Sequence, residues 1–178
     1  MDDSITIVSL YVTAIDDYGF WAQDSASALN SGLKAYMGSS WDGLTSDDGA
    51  TIAIGDIVTM TGSVDEYNGL LEITPFSVEG DCYSLAVDGT YVGLDPLAVT
   101  PATLETDSEA HEGMLLELSG VEVDDVLGSG DWVAELDGSQ VTVGDDIYAA
   151  EPTVGAIYTS VVGVYKQNTT YSLSLIHI

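Results

Sequence analysis

Positive charge is nearly missing from this chain. Its 178 residues hold two lysines, Lys34 and Lys166, and no arginine, against 30 Asp and Glu, for a formal net charge of −28. Tight binding to a phosphate backbone or an anionic lipid surface needs clustered Lys or Arg, so both are disfavoured. Cysteine is as scarce: Cys82 stands alone, which excludes a disulfide framework. With His111 and His177 as the only histidines, a Cys/His zinc site is excluded as well. No apolar run approaches the ~20 residues of a membrane-spanning helix, so no membrane insertion is expected. A Ser–His–Asp site would have to use His111, and there is no Gly-x-Ser-x-Gly nucleophile elbow. Catalysis is therefore not expected of this chain. Apolar residues are plentiful, at 46%, which rules out a disordered acidic tail.

The two ends carry signals of their own. Met1-Asp2-Asp3-Ser4 runs straight into a strand pattern, with neither a basic nor an apolar leader region, so no signal peptide is expected within the chain. At the other end Leu173-Ser174-Leu175-Ile176-His177-Ile178 matches the translation of a transposon end used in sequencing libraries. The expectation is that residues 173–178 are adapter sequence and that the chain is a metagenomic fragment. A genuine final strand is the alternative. His177 is accordingly left out of every functional argument.

The dominant hydrophobic period is two. Runs at 5–15, 57–64, 114–123, 131–136, 156–165 and 171–173 are rich in Val, Ile, Thr and Tyr and are bounded by Gly, Asp and Asn. That is the signature of strands joined by turns. Asn68-Gly69 predicts a type I′ hairpin turn, which needs positive φ at both central residues. Residues 109–113 read as one helical turn capped by Ser108 or Asp107, and nothing else shows a 3.6-residue period. The predicted class is all-β.

The pattern also repeats. A long strand, the acidic turn Asp16-Asp17-Tyr18-Gly19, the run Phe20-Trp21-Ala22-Gln23-Asp24, a strand near 33–36, a strand after Gly55 and a hairpin to 70–73 form the first copy. The second follows the same order: 115–123, Asp124-Asp125, Asp131-Trp132-Val133-Ala134-Glu135, 141–143, a strand after Gly155, and a hairpin to 171–173. From Gly19 to Gly55 is 36 residues and from Gly130 to Gly155 is 25, the excess lying in a Ser/Gly/Asp-rich insertion around 38–49. Two five-strand units argue for two tandem barrels, since closure removes unpaired edges. The expected organisation is barrel 1 at 1–78, a linker with an extra strand and a short helical turn at 79–112, and barrel 2 at 113–173.

Gly19-Phe20-Trp21-Ala22-Gln23-Asp24, followed by Gly55-Asp56-Ile57-Val58 with Gly62, Tyr67 and Gly69, resembles secreted bacterial OB-fold modules. These accompany extracellular nuclease domains of the endonuclease/exonuclease/phosphatase type. Glu109-Ala110-His111-Glu112-Gly113-Met114-Leu115 resembles a Glu-Ala-Tyr-Glu-Gly-Met-Leu run common in that family. The resemblance covers most of residues 4–173. It implies two tandem OB-like five-stranded β-barrels in a secreted or surface-attached protein, with the catalytic domain elsewhere in the full chain. The second copy departs from the pattern at Asp131-Trp132-Val133-Ala134-Glu135, so a shared ligand role for both copies does not follow.

Candidate residues follow from these readings. For stacking single-stranded nucleic acid on an OB face they are Tyr11, Trp21 and Tyr36 in copy one and Trp132 and Tyr148 in copy two, with Lys34 for phosphate. Packing in a core or between barrels is the commoner use of such aromatics, because alternation alone does not say which face they occupy. For hard-cation binding, Ca²⁺ above all, Asp16, Asp17, Asp47, Asp48, Asp124 and Asp125 sit in turns, as does the pair Asp145-Asp146. No Asp-x-Asp-x-Asp-Gly loop closes with a Glu at position 12, so acidic turns hydrated by water and counter-ions remain the simpler account. His111, flanked by carboxylates, reads as a turn residue, and Cys82 in Gly80-Asp81-Cys82-Tyr83 as a small, buried or half-buried one. The function expected is a non-catalytic accessory module of an extracellular nuclease-like protein, touching single-stranded nucleic acid weakly with help from cations. The competing expectation is a calcium-stabilised cell-surface adhesion module with no nucleic-acid role.

Overall fold

The computed structural model describes residues 4–24, 28–38, 46–47, 49–74, 84–128, 130–168 and 170–177. It is nearly all β. The first sheet contains β1 (Ser4–Asp16), β2 (Gly19–Gln23), β3 (Gly32–Tyr36), β4 (Asp56–Tyr67), β5 (Leu70–Thr74) and β6 (Ser84–Thr90). Its order is β1-β2-β3-β5-β4, and β4 also pairs with β1, which closes a five-stranded barrel; β6 adds to β4 outside the ring. Every pairing is antiparallel except β3 with β5, where Lys34 faces Glu72 and Ala35 faces Ile73. Asn68 and Gly69 turn β4 into β5 at φ of 54° and 91°, the left-handed pair that a tight hairpin requires.

Strand alternation decides what fills the barrel. Phe20 and Ala22 of β2, Leu33 and Ala35 of β3, Val58 and Met60 of β4 and Ile73 of β5 form the core with Leu10, Val12, Ile52 and Leu85. Their sequence neighbours Trp21, Gln23, Lys34 and Glu72 therefore stand on the outer face. β1 changes face in mid-strand. The register shifts between Val12 and Ala14, so Thr13 is an extra residue, and Ala14 belongs to a different cluster from Val12.

The second sheet contains β7 (Leu97–Val99), β8 (Leu115–Leu118), β9 (Val121–Val126), β10 (Trp132–Leu136), β11 (Ser139–Gly144), β12 (Ile157–Tyr158), β13 (Val161–Asn168) and β14 (Thr170–His177). Its order is β12-β9-β10-β11-β14-β13-β8-β7, with β11 and β14 parallel. β8 and β9 are consecutive in the chain, separated only by Ser119 and Gly120. Residues 173–177 of the adapter-like hexapeptide lie within β14, and residue 178 lies outside the described residues. One element differs from expectation. Residues 101–106 form a helix, α1 (Pro101–Thr106), in the linker, ahead of the helical turn expected at 109–113. Thr100 accepts the Thr103 N–H at 3.2 Å and Pro101 opens the helix, while Leu104 packs into the second core. Six residues are too few to display a helical period. The helical turn read at 109–113 is a 3₁₀ turn, Glu109–His111, and its preceding Ser108 makes no side-chain cap. No helix among the described residues is long and apolar enough to cross a membrane.

A third cluster joins the two sheets. Ala14, Trp21 and Leu70 of the first pack with Leu115, Val162 and Val164 of the second. Around it, Leu115 N–H donates to Gln23 Oε1 at 2.7 Å, Asn30 N–H to the Ala110 carbonyl at 2.8 Å, and Leu71 N–H to Glu112 Oε2 at 3.3 Å. Gly32 lies against Gly113 so closely that a Cβ on Gly32 would come within 2.1 Å of the Gly113 carbonyl carbon.

Candidate functional site

The outer face of the first barrel carries a cleft of about 640 Å³. Its floor follows from register. Trp21 on β2 pairs with Lys34 on β3, Lys34 with Glu72 on β5, and Glu72 with Asp65 on β4, which makes one row across four strands. Tyr36, Leu70 and Thr74 extend the floor along the strands. The walls are turns. Asp16, Asp17 and Tyr18 come from the β1–β2 turn, Tyr67 from the β4–β5 hairpin, and Asp146 and Lys166 from the second sheet. Both lysines of the chain thus line a single cleft.

Each lysine is held by a carboxylate. Lys34 Nζ, with only 3% of its side chain exposed, donates to Asp16 Oδ1 at 2.6 Å and to Oδ2 at 2.5 Å, and lies 5.0 Å above the Trp21 ring. Asp16 also accepts the Trp21 Nε1–H at 3.1 Å and the Tyr18 backbone N–H at 2.9 Å. Burial pulls the Lys34 ammonium below the usual lysine range; Asp16 and, more weakly, Glu72 oppose that pull, and Lys166 adds slightly to it. The Glu72 carboxyl is pushed up, first by burial and then by Asp65 and Asp16, with Lys34 working the other way. At the rim, Lys166 Nζ donates to Asp146, which is 55% exposed.

The aromatics divide by exposure. Trp21 is 2% exposed and belongs to the joint between sheets, so it offers the cleft an edge at most. Tyr36 is half-buried. Tyr18 and Tyr67, at 54% and 65% exposed, are the rings free to meet a ligand. Neither was among the stacking candidates, although Tyr67 stood in the pattern with Gly62 and Gly69 and each sits at a turn, Tyr18 beside Asp16-Asp17 and Tyr67 beside Asn68-Gly69, where side chains project from a barrel.

The remaining sequence candidates lie elsewhere. Tyr11 packs edge-on against Tyr91 at 4.9 Å and lines a different cavity. Trp132 is 1% exposed in the second core against Tyr158, because Trp132 and Ala134 take the inward positions that Phe20 and Ala22 take in the first barrel. Tyr148 is 51% exposed and outside the cleft. Among the acidic candidates Asp16, Asp17 and Asp146 reach it. Asp47 Oδ2 accepts the Leu85 N–H at 3.0 Å, Asp124 the Gln140 side-chain amide at 2.8 Å, and Asp125 the Val126 N–H at 2.8 Å. Asp48 and Cys82 lie outside the described residues. Among the described residues no group of three or more His, Cys, Asp or Glu is arranged to hold a metal ion. His111 is buried, with Nδ1 2.7 Å from the Asp107 carbonyl oxygen, a structural contact. Comparison of the chain with family models, curated proteins and solved structures gave no match.

Proposed function

We propose that this chain is a non-catalytic binding module of two OB-like five-stranded barrels, an accessory to a secreted bacterial nuclease-like protein. In this reading the cleft of the first barrel makes weak contact with single-stranded nucleic acid. The carrying observation is that both lysines and two exposed tyrosines meet between the β1–β2 turn and the β4–β5 hairpin. That is the region OB folds use for oligomeric ligands, on and beside strands two and three. The 1-2-3-5-4-1 ring supports the fold reading, as does the order β9-β10-β11-β14-β13-β8 within the second sheet, in which β8 and β9 are consecutive in the chain.

The chemistry sets the strength. Lys34 is neutralised by Asp16 and Lys166 by Asp146, so phosphate attraction is slight and divalent cations bridging carboxylate and phosphate supply the remainder. Affinity then rests on Tyr18 and Tyr67 stacking bases, at about 1–3 kcal/mol per base. The joined barrels hold the cleft at a fixed place relative to whatever flanks the chain. Fluorescence anisotropy of a labelled oligonucleotide in millimolar Mg²⁺ tests this. We expect micromolar-range binding with a shallow salt dependence, weakened roughly five-fold or more by Tyr67→Ala. No anisotropy change up to several hundred micromolar protein would remove the nucleic-acid role.

A further inference from the structure

The cleft of the first barrel sets two kinds of surface side by side. Asp65 and Tyr67 lie two residues apart on β4 and both line the cleft, so their side chains leave the same face of the strand. Across the β4–β5 pair Leu70 stands opposite Tyr67, and Glu72 opposite Asp65. A ring and an aliphatic side chain are thus followed, about 7 Å along the strands, by two carboxyl groups on neighbouring strands. A flat base lying on the 65% exposed Tyr67 ring, beside Leu70, presents its edge to Glu72 and Asp65. Neither of these carboxylates is taken up by a lysine, since Lys34 and Lys166 are held by Asp16 and Asp146. Glu72 feels Lys34 as a charge, but among the described residues no hydrogen bond reaches it. Asp65 accepts the Glu66 backbone N–H at 2.8 Å through Oδ1, which leaves Oδ2 for a ligand.

The chemistry of that edge chooses among bases. An ionised carboxylate accepts hydrogen bonds and donates none. Thymine and uracil place one N–H between two carbonyl oxygens. Adenine and cytosine place an amino group beside a bare ring nitrogen, whose lone pair would face a carboxylate oxygen. Guanine alone among the common bases sets two donors next to each other, N1–H and the N2 amino group. We infer that the cleft selects guanine in single-stranded nucleic acid, stacking it on Tyr67 and receiving its N1–H and N2 amino hydrogens on the carboxylates of Glu72 and Asp65. This rests on the nucleic-acid reading above and names the base that reading leaves open. The same carboxylates repel phosphate, so the discrimination comes from the base edge and not from the backbone.

Labelled oligothymidine carrying one central guanine, adenine or hypoxanthine, followed by fluorescence anisotropy in millimolar Mg²⁺, tests this. Guanine and adenine are both purines with similar stacking area, so comparing them isolates the edge. The guanine strand should bind on the order of tenfold tighter than the adenine strand. Hypoxanthine keeps N1–H and lacks the amino group, and should lose most of that gain. Glu72→Gln offers one donor and one acceptor, the pattern adenine matches, so the guanine-to-adenine ratio should fall to about one or invert. Equal affinity for the guanine and adenine strands on the wild-type chain, with both bound, overturns the inference and leaves the nucleic-acid reading standing. So does a guanine preference that survives Glu72→Gln and Asp65→Asn combined. Absence of binding by every strand removes the nucleic-acid reading and this inference with it.

Discussion

At the scale of single residues, the cleft is a small electrostatic system with Lys34 at its centre. Its ammonium is buried under the Trp21 ring and against Asp16, and its strand neighbour Glu72 is only partly compensated by it. The net environment of Glu72 disfavours its charge, since burial, Asp65 and Asp16 together outweigh Lys34. The folded chain therefore keeps a proton on Glu72 at pH values where the unfolded chain has released it. In that window, from the usual glutamate range up to the raised value, the unfolded state binds fewer protons and stability falls as pH rises. Glu72→Gln mimics the protonated form and escapes the fall. Urea denaturation between pH 4 and 7 should show the variant more stable than wild type at pH 7, with the difference shrinking as pH drops. A pH-independent difference, or a less stable variant at pH 7, would mean that the attraction of Lys34 dominates instead.

At the scale of elements, the two motifs that drew attention in the sequence turn out to face each other. Gln23, from the Gly-Phe-Trp-Ala-Gln-Asp run, accepts the backbone N–H of Leu115, from the Glu-Ala-His-Glu-Gly-Met-Leu run, and Trp21 packs beside Leu115. Gly32 and Gly113 let the backbones touch. A methyl group on Gly32 meets backbone that has no rotamer to yield, so Gly32→Ala should part the sheets and cost about 1–3 kcal/mol of stability. Trp21 would then be wetted, and tryptophan emission should shift to the red; unchanged emission and stability would show that the joint tolerates the strain. What the sequence disclosed here was local. Strand alternation, the Asn68-Gly69 turn and the repeat are written in neighbouring residues, and they brought Asp16, Asp17, Trp21, Lys34 and Tyr36 into one copy. Glu72 and Asp65 join the cleft only through the parallel β3–β5 register, and Asp146 and Lys166 only through the docking of the second sheet. Those pairings are non-local, as is the bulge at Thr13 that reverses the facing of β1. Trp21 and Trp132 look alike in the repeat, yet one position of offset sends the first outward and the second into the core.

At the scale of the whole molecule, the scarcity of positive charge becomes a statement about solvent. Both lysines are engaged in ion pairs in the cleft, so the rest of the surface presents carboxylates without counter-charges of its own. Asp24, Asp95, Asp137 and Glu151 are among those exposed in turns and loops, while strand interiors face inward with Val, Leu, Ile and Ala. This distribution keeps molecules apart and soluble, but compaction brings the charges closer than the unfolded chain would hold them. The resulting self-repulsion is long-range, with a Debye length near ~30 Å at 10 mM salt, comparable to the size of a small domain, and near ~3 Å at 1 M. Folding should therefore be favoured by salt. Raising NaCl from about 10 mM to 1 M should lift the melting temperature by several degrees, at roughly 2–4 °C per kcal/mol for a chain of this size. The same lift is expected from choline chloride at equal ionic strength, because screening does not depend on the cation's chemistry. A lift obtained only with millimolar Ca²⁺ would point instead to a specific acidic site and to the calcium-stabilised adhesion module. A melting temperature insensitive to both would mean that the carboxylates are already spaced widely enough to be solvated independently.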